Sequence, residues 1–393
     1  MIKKLTLKNF KSFRDSTLEL GPLSIILGAN ASGKSNLVDA LRFLQGCTRG
    51  WSISEIFSGR WEGGQQVWTG IRGGNNEIFY LGGEVQTFSI SLDWELKNSS
   101  TAHSGAYQVG IERKTEDVSF IEGKNATTYS NERFAVGTEE YVSTGVLIPE
   151  TRDVFPALPM LPFMQDAPRL IRQWARILAQ WMSDISFPIF SPATMREYVS
   201  NRRTELGQRG ENLSAIIFRM ASDPKQRQTL LEWLRELCPQ EIVDFDFIQT
   251  QLGDVLLAVK EPNGVTISAR SMSDGTLRFL AMVVVLLHAK EGSLFVLEDI
   301  DSDLHPSRLH LLASFLEQVT ASRRIQVIAT SHSPYLLDHL SEQSLANVLV
   351  FVRDQESQST KVAKLIDIPG FSEARQHNPL DLLHASGWME QNL

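Results

Sequence analysis

Cysteine is scarce. Cys47 and Cys238 are the only two among 393 residues, and neither belongs to a CxxC. That excludes a disulfide framework and a cysteine-based zinc site, and makes a reducing cytoplasm the simplest setting. Long apolar runs are missing as well. The longest, FLAMVVVLLHA (279–289), is too short to cross a bilayer and fits a buried core helix. The N-terminal MIKKLTLKNFKSF breaks its apolar residues with lysines and has no signal-peptide core. Basic excess is absent: the formal net charge is −8, so bulk charge does not mark a nucleic-acid binder. There is no internal repeat, heptad run or low-complexity tract. What is present is an ordinary globular composition, 42% hydrophobic and 21% charged. The length suits two or three domains, or one composite domain with an insertion.

Residues 2–20 alternate apolar and polar, which predicts antiparallel edge strands, whereas LSIIL (23–27) is continuously apolar, as a buried parallel strand is. NLVDALRFLQG then has helical spacing through Leu37, Leu41 and Leu44. The Gly- and Trp-rich residues 50–75 read as loop. The segments IFYLGG, TFSISLDWEL, AYQVGIER and VSFIEG predict an antiparallel sheet over about 78–136. PALPMLPF (156–163) should not be helical. RLIRQWARILAQWM (169–182) predicts an amphipathic helix, and 212–237 a second helical region. VLLAVK–EPNG–VTISAR (255–270) predicts a hairpin turning at Asn263-Gly264. After it the pattern is α/β: a helix over 276–290 before LFVL, another over 307–319 before IQVIA, and a further one before NVLVFV. The expected domains are 1–150, 151–254 (mainly helical) and 255–393.

GANASGKS, Gly28 to Ser35, satisfies G-x-x-x-x-G-K-[ST] between a buried strand and a helix. Backbone N–H groups of Asn30, Ala31, Ser32, Gly33, Lys34, Ser35 and Asn36, at the positive end of that helix, would cradle phosphates. Lys34 would bridge the β- and γ-phosphates and Ser35 would bind Mg²⁺. A glycine-rich turn without ligand is the alternative.

LFVLEDIDSDLHP (294–306) packs four acids into six positions: Glu298, Asp299, Asp301 and Asp303. Such repulsion calls for nearby cations. At a strand end, Glu298 would hold Mg²⁺ and Asp299 would orient and deprotonate water. Asp301 and Asp303 could instead cap the helix at Pro306. SMSDGTLRFL (271–280) sets Ser273 and Gly275 at a helix start; Ser273 is a plausible N-cap, and the pair also makes an anion site. His332, just past IQVIA, could sense a γ-phosphate; His305 is ambiguous and could be structural.

These motifs, in this order, resemble the ABC-type ATPase heads of the RecF, SMC and OLD-nuclease group, most closely a stand-alone "AAA-family" branch with an ABC-like head. They cover about residues 1–50 and 255–340, and GQRGENLSAIIF (207–218) also looks like an element of that branch. The resemblance implies a P-loop NTPase fold of ABC-ATPase head type: a mixed central sheet, an antiparallel β subdomain and a helical insertion. It implies ATP and Mg²⁺ as cofactors, and a homodimer with two ATP molecules between its heads, or a higher oligomer. Ser273 and Gly275 of one head would face the phosphate loop, Glu298 and Asp299 of the other. His332 would contact the γ-phosphate in cis, and Arg14, after FKSF, would lie near the nucleotide. A Q-loop glutamine is implied but no position stands out. With no coiled-coil insertion, and only about fifty residues after 345, a tethering SMC protein and a built-in Toprim nuclease are not expected.

The expected function is a dimeric ATPase switch in DNA metabolism or antiphage defence, with a separate effector or nuclease and no membrane. DNA is an allowed partner, although the best basic stretch, 195–211, nets only +1: Arg196, Arg202, Arg203 and Arg209 against Glu197, Glu205 and Glu211. An ATP-bound scaffold is the alternative, and an ABC transporter subunit a weaker one. The resemblance also exposes an inversion. The usual order at the strand end is Asp then Glu; here it is Glu298 then Asp299. That draws the base back by one methylene, on the order of 1.5 Å, which predicts slow hydrolysis.

Overall fold

The computed structural model describes residues 1–80, 86–98, 101–114, 126–148, 153–238 and 242–393. The chain forms two compact units. One contains Met1–Ile185, Ala346–His377 and Leu383–Leu393; the other contains Ser186–Leu345 and Asn378–Leu382.

In chain order the first unit starts with β1 (Ile2–Phe10), β2 (Phe13–Glu19), β3 (Leu23–Leu27) and α1 (Lys34–Thr48). Then come α2 (Ile53–Ser58), β4 (Arg60–Glu62), β5 (Gln65–Trp68) and α3 (Gly74–Glu77). They are followed by β6 (Thr87–Asn98), β7 (Thr101–Lys114), β8 (Ala126–Val136), β9 (Glu139–Ser143), β10 (Val146–Ile148), β11 (Asp153–Phe155) and α4 (Arg169–Ser183). The second unit carries α5 (Pro192–Met195), β12 (Val199–Ser200), α6 (Leu213–Met220), α7 (Pro224–Leu237), β13 (Asp244–Gln249), β14 (Asp254–Lys260) and β15 (Thr266–Ser268). It continues with α8 (Asp274–Leu287), β16 (Leu294–Leu297), α9 (Leu309–Arg323) and β17 (Gln326–Ser331). The chain returns to the first unit with β18 (Leu349–Arg353) and β19 (Thr360–Lys364).

In the first unit a six-stranded sheet runs β2-β1-β6-β7-β8-β9 with antiparallel neighbours. Thus β2 is an edge strand as expected, but β1 is interior, because β6 hydrogen-bonds its other side. In β1, Leu5 and Leu7 are buried on one face of the pleat, and Ile2 and Phe10 are buried at its ends, Ile2 across a register shift in the pairing with β6. The helix α4 buries Ile171, Trp174, Ala175, Leu178 and Met182 along one stripe. Trp174 stacks on Trp94 of β6 at 5.5 Å, which docks the helix on the sheet. β3 is buried throughout and pairs in parallel with β18, which pairs antiparallel with β19.

Glu132 of β8 lies in this core with 3% exposure. Its carboxyl accepts hydrogen bonds from the Ala157 N–H (2.6 Å), the Leu158 N–H (2.8 Å) and the Tyr107 hydroxyl (2.9 Å). Burial pushes its pKa up, against the pull of those donors.

The second unit holds β16 and β17 in parallel, Leu294 opposite Gln326 through Leu297 opposite Ala329. It also holds β14 between β13 on one side and β12 and β15 on the other. The predicted hairpin is therefore present, as β14 and β15. Helix α8 buries residues all round, as its apolar run requires.

Two further expectations are corrected. Residues 50–75 are not plain loop: a capping box between Ser52 and Glu55 starts α2, and β4 and β5 pair as a hairpin. PALPMLPF ends in a 3-10 turn over Leu161–Phe163, whose proline sits in the first turn, where it costs no hydrogen bond. The 212–237 region is helical as expected, its segments NLSAIIFRMA and QRQTLLEWLREL forming α6 and α7, with Asp223 capping α7. VSFIEG (118–123) and the end of IFYLGG lie outside the described residues.

Candidate functional site

The phosphate loop leaves β3 and enters α1 through Gly33, at φ 107°, with Ala31 also left-handed at φ 64°. A β-carbon on Gly33 would lie 2.3 Å from Thr360 Oγ1, and one on Gly28 2.5 Å from the Phe351 carbonyl oxygen. Both glycines are thus required by close approach. Thr360 backs the loop: its N–H donates to the Ser12 carbonyl at 2.7 Å and its hydroxyl reaches the Ser32 carbonyl at 2.8 Å. Asn36 Nδ2 donates to Ser12 Oγ at 2.7 Å, tying the first turn of α1 to the β1–β2 turn.

Lys34 is buried, and its ammonium donates to the Gly28 carbonyl at 2.5 Å and the Ala29 carbonyl at 3.0 Å, so it arches over the loop. Asn30, Ala31 and Ser35 are exposed. Ser32 Oγ is buried and has no hydrogen-bond partner among the described residues. An orphaned hydroxyl, an arched ammonium and a backbone cradle closed behind by Thr360 are what a phosphate chain would complete. Beside them a cavity of about 610 Å³ is walled by Arg14, Lys11, Ser12, Asn36, Tyr80 and Arg353. Arg14 and Asn36 therefore share a wall. Sequence reasoning missed Ser12 and Thr360, whose partners are distant in the chain.

In the second unit β16 delivers Glu298 and Asp299 to solvent immediately after four buried residues. Asp299 is left-handed at φ 50°. Its N–H donates to Thr330 Oγ1 at 2.9 Å, and its Oδ1 lies 3.2 Å from His332 Nε2. The parallel register explains this: β16 and β17 end together, so Asp299, Thr330 and His332 emerge side by side. Asp301 accepts from the His332 N–H at 3.4 Å. Asp303 pairs with Arg278 at 3.2 Å. Neither caps the next helix. His305 caps the 3-10 turn Pro306–Arg308, its Nδ1 accepting from the Ser307 N–H at 3.3 Å. A cavity of about 480 Å³ is lined by Glu298, Asp299, Asp303, Arg278, Ile189 and Met282.

Ser273 caps α8, its Oγ accepting from the Thr276 N–H at 3.2 Å. Gly275 is buried, and a β-carbon there would lie 2.2 Å from the Asp303 carbonyl oxygen. The glycine lets the acid-bearing turn pack on the helix start. Arg196 is not a solvated basic residue: Nη2 donates to the Met272 carbonyl at 2.8 Å and to Asp274 Oδ1 at 2.5 Å, clasping that same helix start.

Magnesium prefers one or two carboxylate or hydroxyl ligands and takes the rest from phosphates and water. Ser35 and Glu298 each carry an oxygen of that type.

Residues 4–162 match a family described as "AAA domain", and residues 184–338 one described as "AAA domain, putative AbiEii toxin, Type IV TA system". Chromosome partition protein Smc of Methanocaldococcus jannaschii is 35% identical over 94 residues, 23% of this chain and 8% of that protein. DNA replication and repair protein RecF of Lactococcus lactis subsp. cremoris is 46% identical over 44 residues, 11% of this chain and 12% of RecF. The aligned part is thus a small fraction of each relative's length. Among solved structures, the SMC head domain from Thermotoga maritima superposes with TM-score 0.46 at 14% identity, over 92% of this chain and 98% of that one. On its two AAA-domain matches and its kinship with Smc and RecF, the chain carries an ABC-type AAA ATPase domain of the RecF and SMC group.

Proposed function

We propose that the chain is an ATP-binding switch that hydrolyses ATP slowly. It closes as a homodimer around two ATP molecules and acts in DNA metabolism or antiphage defence through a separate effector. The observation that carries this reading is the phosphate loop, with Lys34 arched over it and the Ser32 hydroxyl without a hydrogen-bond partner among the described residues. In the proposed site Lys34 and the loop amides hold the phosphates, and Ser35 and Glu298 are the metal ligands. Mg²⁺ would supply charge neutralisation on the phosphates. Asp299 orients water, and His332, 3.2 Å away, holds the carboxylate and faces the γ-phosphate. Ser273 and Gly275 contribute from the second copy. The toxin–antitoxin wording of the second family description is in keeping with a defence role, as the Smc and RecF names are with DNA.

A scaffold with little turnover is the second reading. It is favoured by the engagement of Asp299 with both His332 and Thr330, which leaves less freedom to a base already shortened by one methylene.

The test is ATP turnover and ATP binding by the purified full chain, with and without DNA at low salt. The expected result is slow but measurable turnover that falls by roughly two orders of magnitude in Lys34→Ala. Binding without turnover supports the scaffold. No nucleotide binding at all would sink both readings. Failure to bind any DNA form would remove the DNA role and leave the defence switch.

A further inference from the structure

Helix α4 carries a charge pattern that none of the roles above uses. Its sequence, RLIRQWARILAQWMS, holds three arginines and no acid. One stripe, through Ile171, Trp174, Leu178 and Met182, is buried, with Trp174 stacked on Trp94 of the sheet. The opposite face presents Arg169, Gln173, Arg176 and Gln180, all exposed, at the i, i+4, i+7, i+11 spacing of one helix face. Arg172 sits beside them, half-buried, and its Nε has no hydrogen-bond partner among the described residues.

A solvated helix face normally carries both signs, as α7 does with Lys225, Arg227 and Arg235 beside Glu232 and Glu236. The outer face of α4 carries one. Arg169 and Arg172 also stand in the first turn, at the positive end of the helix dipole, with no acid there and no side-chain cap. Helix stability is served by the opposite arrangement. Acids on adjoining segments are engaged elsewhere: Asp166 accepts from the Tyr141 hydroxyl at 3.3 Å, and Glu140 of β9 pairs with Arg133. Among the described residues no ion pair ties the three arginines to an acid. Beside the stripe Phe163, in the 3-10 turn Leu161–Phe163, is 78% exposed, and the Arg176 guanidinium lies 6.0 Å from its ring centroid. In a chain of net charge −8, a row of cations beside a bare aromatic ring fits one kind of ligand: a strand with phosphates for the cations and an unpaired base for the ring.

We propose that the outer face of α4, together with Phe163, is a binding surface for single-stranded nucleic acid. Arg169, Arg172 and Arg176 take backbone phosphates, and one base stacks on Phe163. Guanidinium forks match phosphate oxygens, and Gln173 and Gln180 add neutral donors between them. Arg169 to Arg176 spans about 10 Å along the helix axis, a length over which a strand offers more than one phosphate. The stretch 195–211 plays no part, since its Arg196 is committed to the start of α8. The inference rests on the DNA part of the function proposed above and deepens it; it does not depend on ATP turnover.

The experiment is fluorescence anisotropy of a labelled oligothymidine titrated with the full-length chain over a series of salt concentrations, with Mg·ATP binding measured in parallel. The variants are Arg169→Gln/Arg176→Gln, the triple that adds Arg172→Gln, and Phe163→Ala. The triple variant should weaken binding by roughly 10-fold or more at low salt and flatten the slope of log affinity against log salt by about 2, at about 0.7 per phosphate contact. The double variant should flatten it by about 1.4. Phe163→Ala should weaken the single strand by roughly 5-fold or more and leave a duplex within twofold, because a paired base cannot reach the ring. Mg·ATP binding should stay within twofold throughout. If the triple variant fails to fold, the double one, at two exposed positions, still decides. Unchanged affinity and salt slope in the double variant would overturn the proposal and leave any DNA role to another surface. A duplex bound as tightly as the single strand, with Phe163→Ala silent, would overturn the assignment to a single strand. Poly-glutamate bound as tightly, through the same arginines, would make this a surface for an acidic protein and overturn it too. A wild-type chain that binds Mg·ATP but no oligonucleotide would remove the DNA part of the function, and this inference with it, while leaving the ATP switch.

Discussion

At position 299 the backbone is left-handed, with φ 50°. Among L-residues other than glycine, Asp and Asn reach that region most readily, because their short polar side chains bond locally. Here the residue's own N–H is bonded to Thr330, so the turn is fixed. This gives a reason, independent of catalysis, for aspartate where a longer acid would reach further. Asp299→Glu should therefore do two things at once. Turnover should rise several-fold, as the base moves out by one methylene, while stability falls by about 1 kcal/mol from the less tolerated conformation. Steady-state ATPase assays and denaturant unfolding measure the two separately; turnover no faster than wild type would refute the geometric explanation of slow hydrolysis. The two stretches of the candidate site, Gly28–Ser35 and Glu298–Asp299, stood out in the sequence because each is contiguous and directly follows a buried strand. The left-handed turn did not, since it depends on Thr330, thirty-one positions away.

Elements show the same division. LSIIL, the α8 run and the β14–β15 hairpin were readable because burial and turn chemistry are local. The residues that lock elements together were not: Thr360 behind the phosphate loop and Arg196 on the start of α8 both act over long separations. The start of α2 could have been found from Ser52-x-x-Glu55, a capping box hidden in a glycine- and tryptophan-rich stretch. Two predictions belong at this scale. Gly275→Ala forces a β-carbon onto the Asp303 backbone and should cost about 1–3 kcal/mol in chemical unfolding, as overpacking does. A wild-type-like midpoint would mean the turn yields freely. Glu132 joins β8 to the Ala157–Leu158 backbone with a carboxyl whose pKa is raised above its ordinary 4.5. A folded-state pKa above the unfolded one gives stability that is full below pH 4.5 and is lost as pH rises through the folded value. Glu132→Gln should lower the melting temperature at acid pH, through a mispaired amide, yet flatten its decline as pH rises above about 5. An unchanged pH slope would show that burial does not control this group.

For the whole molecule the central expectation is assembly on ATP. Light scattering of a hydrolysis-blocked variant, Asp299→Asn, should shift from monomer mass to twice that mass when Mg·ATP is added, and return when it is removed. Ser273→Arg should block the doubling, because it would stand in the proposed contact with the other copy, while ATP binding by the single head stays within a few-fold. Equal masses with and without nucleotide would remove the dimer from the reading.

Thr360 touches both Ser12 and the Ser32 carbonyl, so the loop that holds phosphate is supported by a residue 328 positions further along the chain. During synthesis the N-terminal strands emerge first. They meet their backing only when β19 has left the ribosome. Until then a nascent chain carries the Gly28–Ser35 motif without the Thr360 contacts that back it. On the proposed reading, the loop's hold on phosphate waits for that strand.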